Sequence, residues 1–258
     1  MTKIAHLSAL ERALDYPYDA PDHAYLIKDS QVFDLDPGYD FASRIAVLSV
    51  GSNRAPVQLN RKFGESAELP VTPVRVYDCD VVHVANLAPY GAVPCSAFPC
   101  PGTHIDLNIA WLTPAQLIIM HQTESVGEAY DWVEWDLTCI QHQFDGPLER
   151  LFGYAAIAGA FGNRGKGPFG LQRIPAENRQ FFVKTQRQIQ NMIYHRYCKE
   201  KVSLESWIHQ LQSDRILRDE VVSGLRSYAV LPSVMPWKHA VSSYTGSMHK
   251  TAQKDASC

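Results

Sequence analysis

The sequence predicts an α+β protein, with a strand-rich stretch followed by a helical one. Two observations carry this. Apolar residues alternate with period two, or cluster in short runs, between Arg44 and Phe144, as half-buried and buried strands require. From Ala176 onward they recur at helical spacing, as amphipathic helices require. At 258 residues and 46% hydrophobic content the chain can bury a substantial core, enough for one large domain or two small ones.

Residues 1–43 read as an N-terminal extension. Ser8 to Leu14 forms a short helix with Ser8 as its cap, and Pro17, Pro21, Pro37 and Gly38 then break the chain repeatedly. Residues 44–144 form the core. Ile45 to Val50 is a buried strand ending at Gly51, and Val74 to Leu87 is a strand or hairpin. Ile105 to Leu112 alternates, with Ile105, Leu107, Ile109 and Trp111 on one face and Asp106 and Asn108 on the other. Thr113-Pro114 opens a helix, threonine as cap and proline at the first position. Tyr130 to Leu137 alternates again.

Residues 145–238 begin with a glycine-rich segment, Gly153 to Gly170, read as a hairpin or lid, or as a plain connector. Its Arg164 and Lys166 suit phosphate, but the glycine order of a phosphate-binding loop is missing. Three helices follow: Ala176 to Cys198, started by Pro175, then Leu204 to Leu211 and Arg215 to Tyr228. The basic residues Arg179, Lys184, Arg187, Arg196 and Lys199 read as a solvated helix face. Trp207, Ile208 and Leu211 read as core or as a homodimer contact. Residues 239–258 are small and polar and form a flexible tail.

The formal net charge is -3 with 20% charged residues, so no basic footprint points to nucleic acid. No apolar run reaches the roughly 18 residues a membrane span needs. No apolar signal segment opens the chain, and the six cysteines are scattered without a CxxC pair. Reduced thiols and a cytoplasmic location are the expectation. The ten histidines form no HxH or HxxxH pair, so no metal site is expected.

Two motifs carry chemistry. The first is Val50-Gly51-Ser52-Asn53, followed by Arg54, Pro56, Gln58, Leu59, Arg61 and Phe63. It is a buried strand turning tightly into a helix. Gly51 lets the backbone approach a ligand, and successive N–H groups beside a helix start suit a carboxylate. The second runs from Thr113-Pro114-Ala115-Gln116-Leu117 through Glu124 to Tyr130. It sets Glu124 at the C-terminal end of a short helix, where the dipole opposes negative charge, a setting that favours a general acid/base. Either motif alone is common as a plain turn or a surface glutamate.

In order and separation the two motifs resemble those of the gamma-glutamylcyclotransferase-like superfamily. That family has a Tyr-Gly-Ser-Asn loop after its first strand, then a Leu-Thr-Pro-x-Gln-Leu helix leading to a glutamate and a tyrosine. Here these read Val50 to Asn53, then Leu112, Thr113, Pro114, Gln116, Leu117, Glu124 and Tyr130. The likeness spans roughly residues 44–138. It implies a small mixed β-barrel or sheet with flanking helices, extended here by the C-terminal helices. It also implies an enzyme that needs no metal or cofactor and acts on a small molecule bearing a carboxylate and an amine. In that chemistry the α-amine of a gamma-glutamyl amide attacks its own γ-carbonyl, closing a lactam and expelling an amine. By the resemblance Glu124 is the general acid/base, and Val50, Gly51, Ser52, Asn53, Arg54 and Tyr130 line the substrate site.

The sequence departs from the pattern at Val50 for tyrosine, Arg54 for an apolar residue, His121 for aspartate and Ser125 for glycine. Arg54 reads as a fork for a second carboxylate or as an exposed helix-surface arginine. His121, three residues before Glu124, reads as a tuning group or as an interface histidine. Two alternatives stand beside the cyclotransferase. One is a hydrolase or cyclase of another small amide or ester, and the other a non-catalytic binding protein on the same scaffold.

Overall fold

A computed structural model describes residues 2–144, 146–163 and 166–240. The protein is α+β: a mixed sheet of 13 strands, six α-helices and a small three-stranded sheet among the described residues. The helices are α1 (Ala9–Leu14), α2 (Pro56–Phe63), α3 (Pro114–Thr123), α4 (Gln186–Tyr197), α5 (Leu204–Ser213) and α6 (Arg215–Arg226).

The sheet is built on one long hairpin, Leu69–His83 against Cys95–Leu112, in register from Val71↔Ala110 to His83↔Cys95. The register shifts between Tyr77 and Cys79, where Asp78 takes a positive φ of 54°, as at a β-bulge. Both strands are far longer than the sequence pattern indicates. Prolines and polar residues interrupt the alternation in Leu69–His83 and Cys95–Leu112, while the long-range pairing continues through them.

Ile45–Ser49 lies on the far side of Cys95–Leu112, antiparallel to it, with Val47 opposite Ala110 and Ser49 opposite Asn108. It runs parallel to Phe152–Ala156, which pairs with Tyr130–Trp135. On the other flank Tyr25–Lys28 joins Leu69–His83 and carries Gln31–Asp34 and Thr2–Lys3 beyond it. Strands of the N-terminal segment, the central stretch and the glycine-rich segment thus share one sheet. The strand path has two free ends, so no closed barrel forms among the described residues.

Alternation gives the sheet two apolar faces. Leu48, Val50, Val74, Ile105, Leu107 and Trp111 fill one. Val47, Val71, Ala110 and Leu112 fill the other, where Leu59 of α2 and Leu117 and Met120 of α3 pack on them. Each fully buried valine, leucine, isoleucine or methionine among them contributes about 1.5–3 kcal/mol relative to exposure. A third cluster joins α4, α5 and α6 to Ala13 of α1 and to Val93, Phe161 and Phe169. Trp207, Ile208 and Leu211 are buried there, inside the chain.

The expected helix from Ala176 to Cys198 is corrected. Ala176–Glu177 pairs with Cys95–Leu112, Val183–Lys184 pairs with Gly170–Leu171, and α4 begins only at Gln186. Pro175 does not open it. Thr185 does, in a capping box with Gln188. Arg179 accordingly sits on no helix. It forks onto Asp80, a fully buried carboxylate, at 2.7–3.0 Å. The glycine-rich segment supplies the sheet strand Phe152–Ala156. It also forms a hairpin, Ala160–Asn163 against Gly167–Pro168, whose tip at residues 164–165 lies outside the described residues, as does the tail from 241. No described helix is long and apolar enough to cross a membrane.

Candidate active site around Glu124

The first motif folds as its residues dictate. Ile45–Ser49 leads through buried Val50 to Gly51, then into a 3₁₀ turn, Ser52–Arg54. Ala55 is extended and Pro56 is the first residue of α2, the position where a missing N–H costs nothing. Gly51 answers to close packing. A Cβ there would stand 2.5 Å from the Tyr16 hydroxyl and 2.6 Å from Cys95 Sγ. Ser52 and Asn53, opening the turn, have N–H groups without an intrahelical acceptor.

The second motif places Glu124 at the C-cap of α3, its N–H bonded to the Met120 carbonyl at 2.9 Å. The helix starts at a capping box in which the Thr113 hydroxyl accepts from Gln116 N–H and the Gln116 side chain accepts from Thr113 N–H. The chain then turns at Ser125, φ 50°, and Gly127, φ 86°.

The two motifs meet on one carboxylate. Asn53 Nδ2 donates to Glu124 Oε1 at 3.0 Å. Lys62, from the last turn of α2, donates its ammonium to the same oxygen. Its Nζ also touches Met120 Sδ at 3.3 Å. The Lys62 side chain is 1% exposed and that of Glu124 14%, so the cation is buried while the carboxylate keeps an edge to solvent. Burial pushes the Lys62 pKa down, and the Glu124 charge opposes that shift. Both donors fall on Oε1. Oε2 accepts no hydrogen bond among the described residues.

Sequence reasoning missed Lys62, although a signal existed. Ala55, Leu59 and Lys62 recur at helical spacing, and the first two are buried, so Lys62 falls on the buried face. A lysine in a last turn reads most simply as a complement to the helix dipole.

Tyr130 is aimed at the same place, but its hydroxyl is committed to the Cys95 carbonyl at 3.2 Å. Burial, then the charges of Glu124 and Cys95, push this phenol well above its ordinary range. The Cys95 thiol accepts from the Tyr16 hydroxyl at 3.2 Å. Burial pushes it up to about 12, while Arg54 lowers it and Glu124 raises it. Cys95 therefore lies in the fields of both Arg54 and Glu124.

Arg54 is no exposed helix-surface residue. Its Nε donates to Asn108 Oδ1 at 2.8 Å and its carbonyl accepts from the Tyr25 hydroxyl at 2.6 Å. His121 makes no side-chain hydrogen bond or ion pair with Glu124 among the described residues. Its Nδ1 bonds the Tyr154 hydroxyl at 3.0 Å and its ring stands edge-on to Trp132. Burial pushes its pKa down. A separate open cleft of about 660 Å³ lies between the N-terminal segment and Pro56 and Val57, and none of Asn53, Lys62 and Glu124 lines it. No protein-family model, no curated protein and no solved structure matches this chain.

Proposed function

We propose that the protein is a gamma-glutamylcyclotransferase-like enzyme that cleaves a small gamma-glutamyl or related amide, with Glu124 as its general acid/base. The observation that carries this reading is the bond from Asn53 to Glu124. It brings the turn that would hold a substrate onto the carboxylate that would move its proton.

The chemistry follows from that arrangement. The substrate folds so that its α-amine faces its γ-carbonyl, which is catalysis by proximity. Glu124, through the unoccupied Oε2, takes a proton from the α-ammonium. The freed amine forms the C–N bond of a five-membered lactam. The original amide C–N bond breaks as Glu124 returns the proton to the departing nitrogen, and the second proton of the ring nitrogen passes by the same carboxylate to the departing amine, which leaves as an ammonium. The N–H groups of Ser52 and Asn53 suit the substrate carboxylate or the developing oxyanion. Lys62 and Asn53 hold the carboxylate in place.

The test is release of 5-oxoproline from a panel of gamma-glutamyl amides. Glu124→Gln should abolish release while the circular dichroism spectrum stays that of the wild type and the melt falls only by the loss of the ion pair to Lys62. Undiminished turnover in that variant would refute the role of Glu124. Product mass separates cyclisation from hydrolysis, since hydrolysis adds water.

The buried Lys62 favours a second reading, a non-catalytic binding protein in which the Lys62–Glu124 pair only ties α2 to α3. Absence of turnover across the panel, with tight binding of unreactive glutaryl analogues, would favour it.

A further inference from the structure

We propose that the open cleft between the N-terminal segment and α2 binds a small amphipathic oxyanion, with its apolar body in the cleft and its carboxylate or phosphate head between Arg12 and Arg61. This site is separate from Glu124 and does not rest on the gamma-glutamyl reading.

The two arginines are cations without counter-ions. Arg12 stands in the last turn of α1 and Arg61 in the last turn of α2. A helix dipole favours a cation at both places, but it bonds to neither guanidinium. Among the described residues neither side chain makes an ion pair. Arg12 lies over the Tyr90 ring at 4.8 Å, and its Nε is buried without a partner. Arg61 is held at one edge, from Nε to Gln58 Oε1 at 3.1 Å, and its fork is open. Native structures rarely leave buried donors unpaired, and a planar fork takes an oxyanion with two bonds.

Both charges bear on one place. The Tyr18 phenol is pushed up by burial and lowered by the fields of Arg12 and Arg61 together. Arg61 also acts on Lys62, as one cation on another. A crevice of about 10 Å³ separates the two helices, with His6 and Arg12 from the N-terminal segment and Gln58 and Arg61 from α2. It has room for about one water, so the head group lies across its mouth. An oxyanion there relieves the repulsion between the two guanidiniums.

The crevice adjoins the larger cleft, because Leu7, Tyr18 and Val57 line both. The cleft, at about 660 Å³, has the size of a small-molecule site. Its floor is apolar: Ile4, Leu7, Val32, Phe33 and Val57 line it, each only partly buried. Covering that surface favours an apolar body.

The sign of the ligand follows from which charges are already matched. Three acids line the cleft. Asp15 and Asp19 bond Arg173 at 3.3 and 2.6 Å, and Asp34 stands 3.6 Å from His23. A cationic ligand would have to displace these partners. An anionic one finds Arg12 and Arg61 unclaimed.

Isothermal titration of the full chain tests this with decanoate, decyl phosphate and decyltrimethylammonium, each below its micellar concentration. The two anions should bind at least tenfold more tightly than the cation, the scale of a charge-assisted bond. The tighter of the two anions identifies the head group. Acetate and inorganic phosphate, which lack the apolar body, should bind at least tenfold more weakly than their decyl counterparts. Arg61→Gln and Arg12→Gln should each weaken the anions about tenfold and leave the cation unchanged. Arg61 is exposed, so its variant carries the test if Arg12→Gln does not fold. Glu124→Gln should bind the anions as the wild type does. Equal binding of anion and cation, equal binding with and without the decyl chain, or undiminished binding in Arg61→Gln overturns the proposal. Loss of anion binding in Glu124→Gln would place the anion at the other site and overturn it as well.

Discussion

Asn53 donates to Glu124 at 3.0 Å across 71 residues of sequence, and Lys62, from the last turn of α2, donates to the same oxygen. The carboxylate is thereby fixed by one neutral donor and one buried cation. Each of these relationships has a measurable consequence.

The ion pair couples two helices, so Lys62 and Glu124 should be non-additive in stability. Lys62→Met leaves the Glu124 carboxylate near an edge of solvent, and Glu124→Gln leaves the buried ammonium without a counter-charge. We expect each single variant to cost about 1–3 kcal/mol and the double variant clearly less than their sum. Urea denaturation of the four proteins measures this. Additive losses would show that the pair contributes nothing as a unit.

Gly51→Ala should destabilise the protein by about 1–3 kcal/mol, the usual cost of overpacking. The added methyl group meets the Tyr16 hydroxyl and Cys95 Sγ, and Tyr16 cannot simply swing aside. Its hydroxyl donates to Cys95 Sγ at 3.2 Å and accepts from Cys95 N–H at 3.1 Å. Removing that hydroxyl opens one side of the space. Gly51→Ala should therefore lower the melting temperature less in a Tyr16→Phe background than in the wild type. An equal drop in both backgrounds would contradict this packing.

His83 predicts an acid limit on stability. It is fully buried in Leu69–His83, with Nε2 on the Lys184 carbonyl at 3.0 Å, and burial pushes its pKa down from 6.5 to about 4. The unfolded chain binds a proton at this residue below about pH 6.5 and the folded chain does not until about pH 4. Stability is therefore full above pH 6.5 and falls as the pH drops from 6.5 to 4, by on the order of 3 kcal/mol. His83→Gln should lose less stability than the wild type between pH 7 and 4.5, as read by chemical denaturation at each pH. The same loss in both proteins would remove His83 as the cause.

The local features of the fold were legible in the sequence because their causes are local. Ser8 and Thr113 cap α1 and α3 with their own side chains, Pro114 occupies the first helical position, and Gly51 marks the end of a buried strand. Ala176 to Thr185 was illegible for the converse reason. Its helical spacing is overridden by pairing with Cys95–Leu112 and Gly170–Leu171, and by the buried Asp80 that claims Arg179. Nothing within the segment announces those partners.

The candidate site divides in the same way. The sequence by itself determined the turn Gly51 to Asn53, the helix that ends at Glu124, and the α+β class, because each follows from residue type and short-range spacing. Tertiary structure alone decided that Asn53 and Glu124 touch, that a buried Lys62 joins them, that Tyr130 turns to the Cys95 carbonyl, and that Arg54 is held by Asn108. The physical reason is that charge and hydrogen-bond partners are chosen by distance in space. The long hairpin from Leu69 to Leu112 sets those distances, by lying between α2 and α3 in sequence and beneath both in the fold.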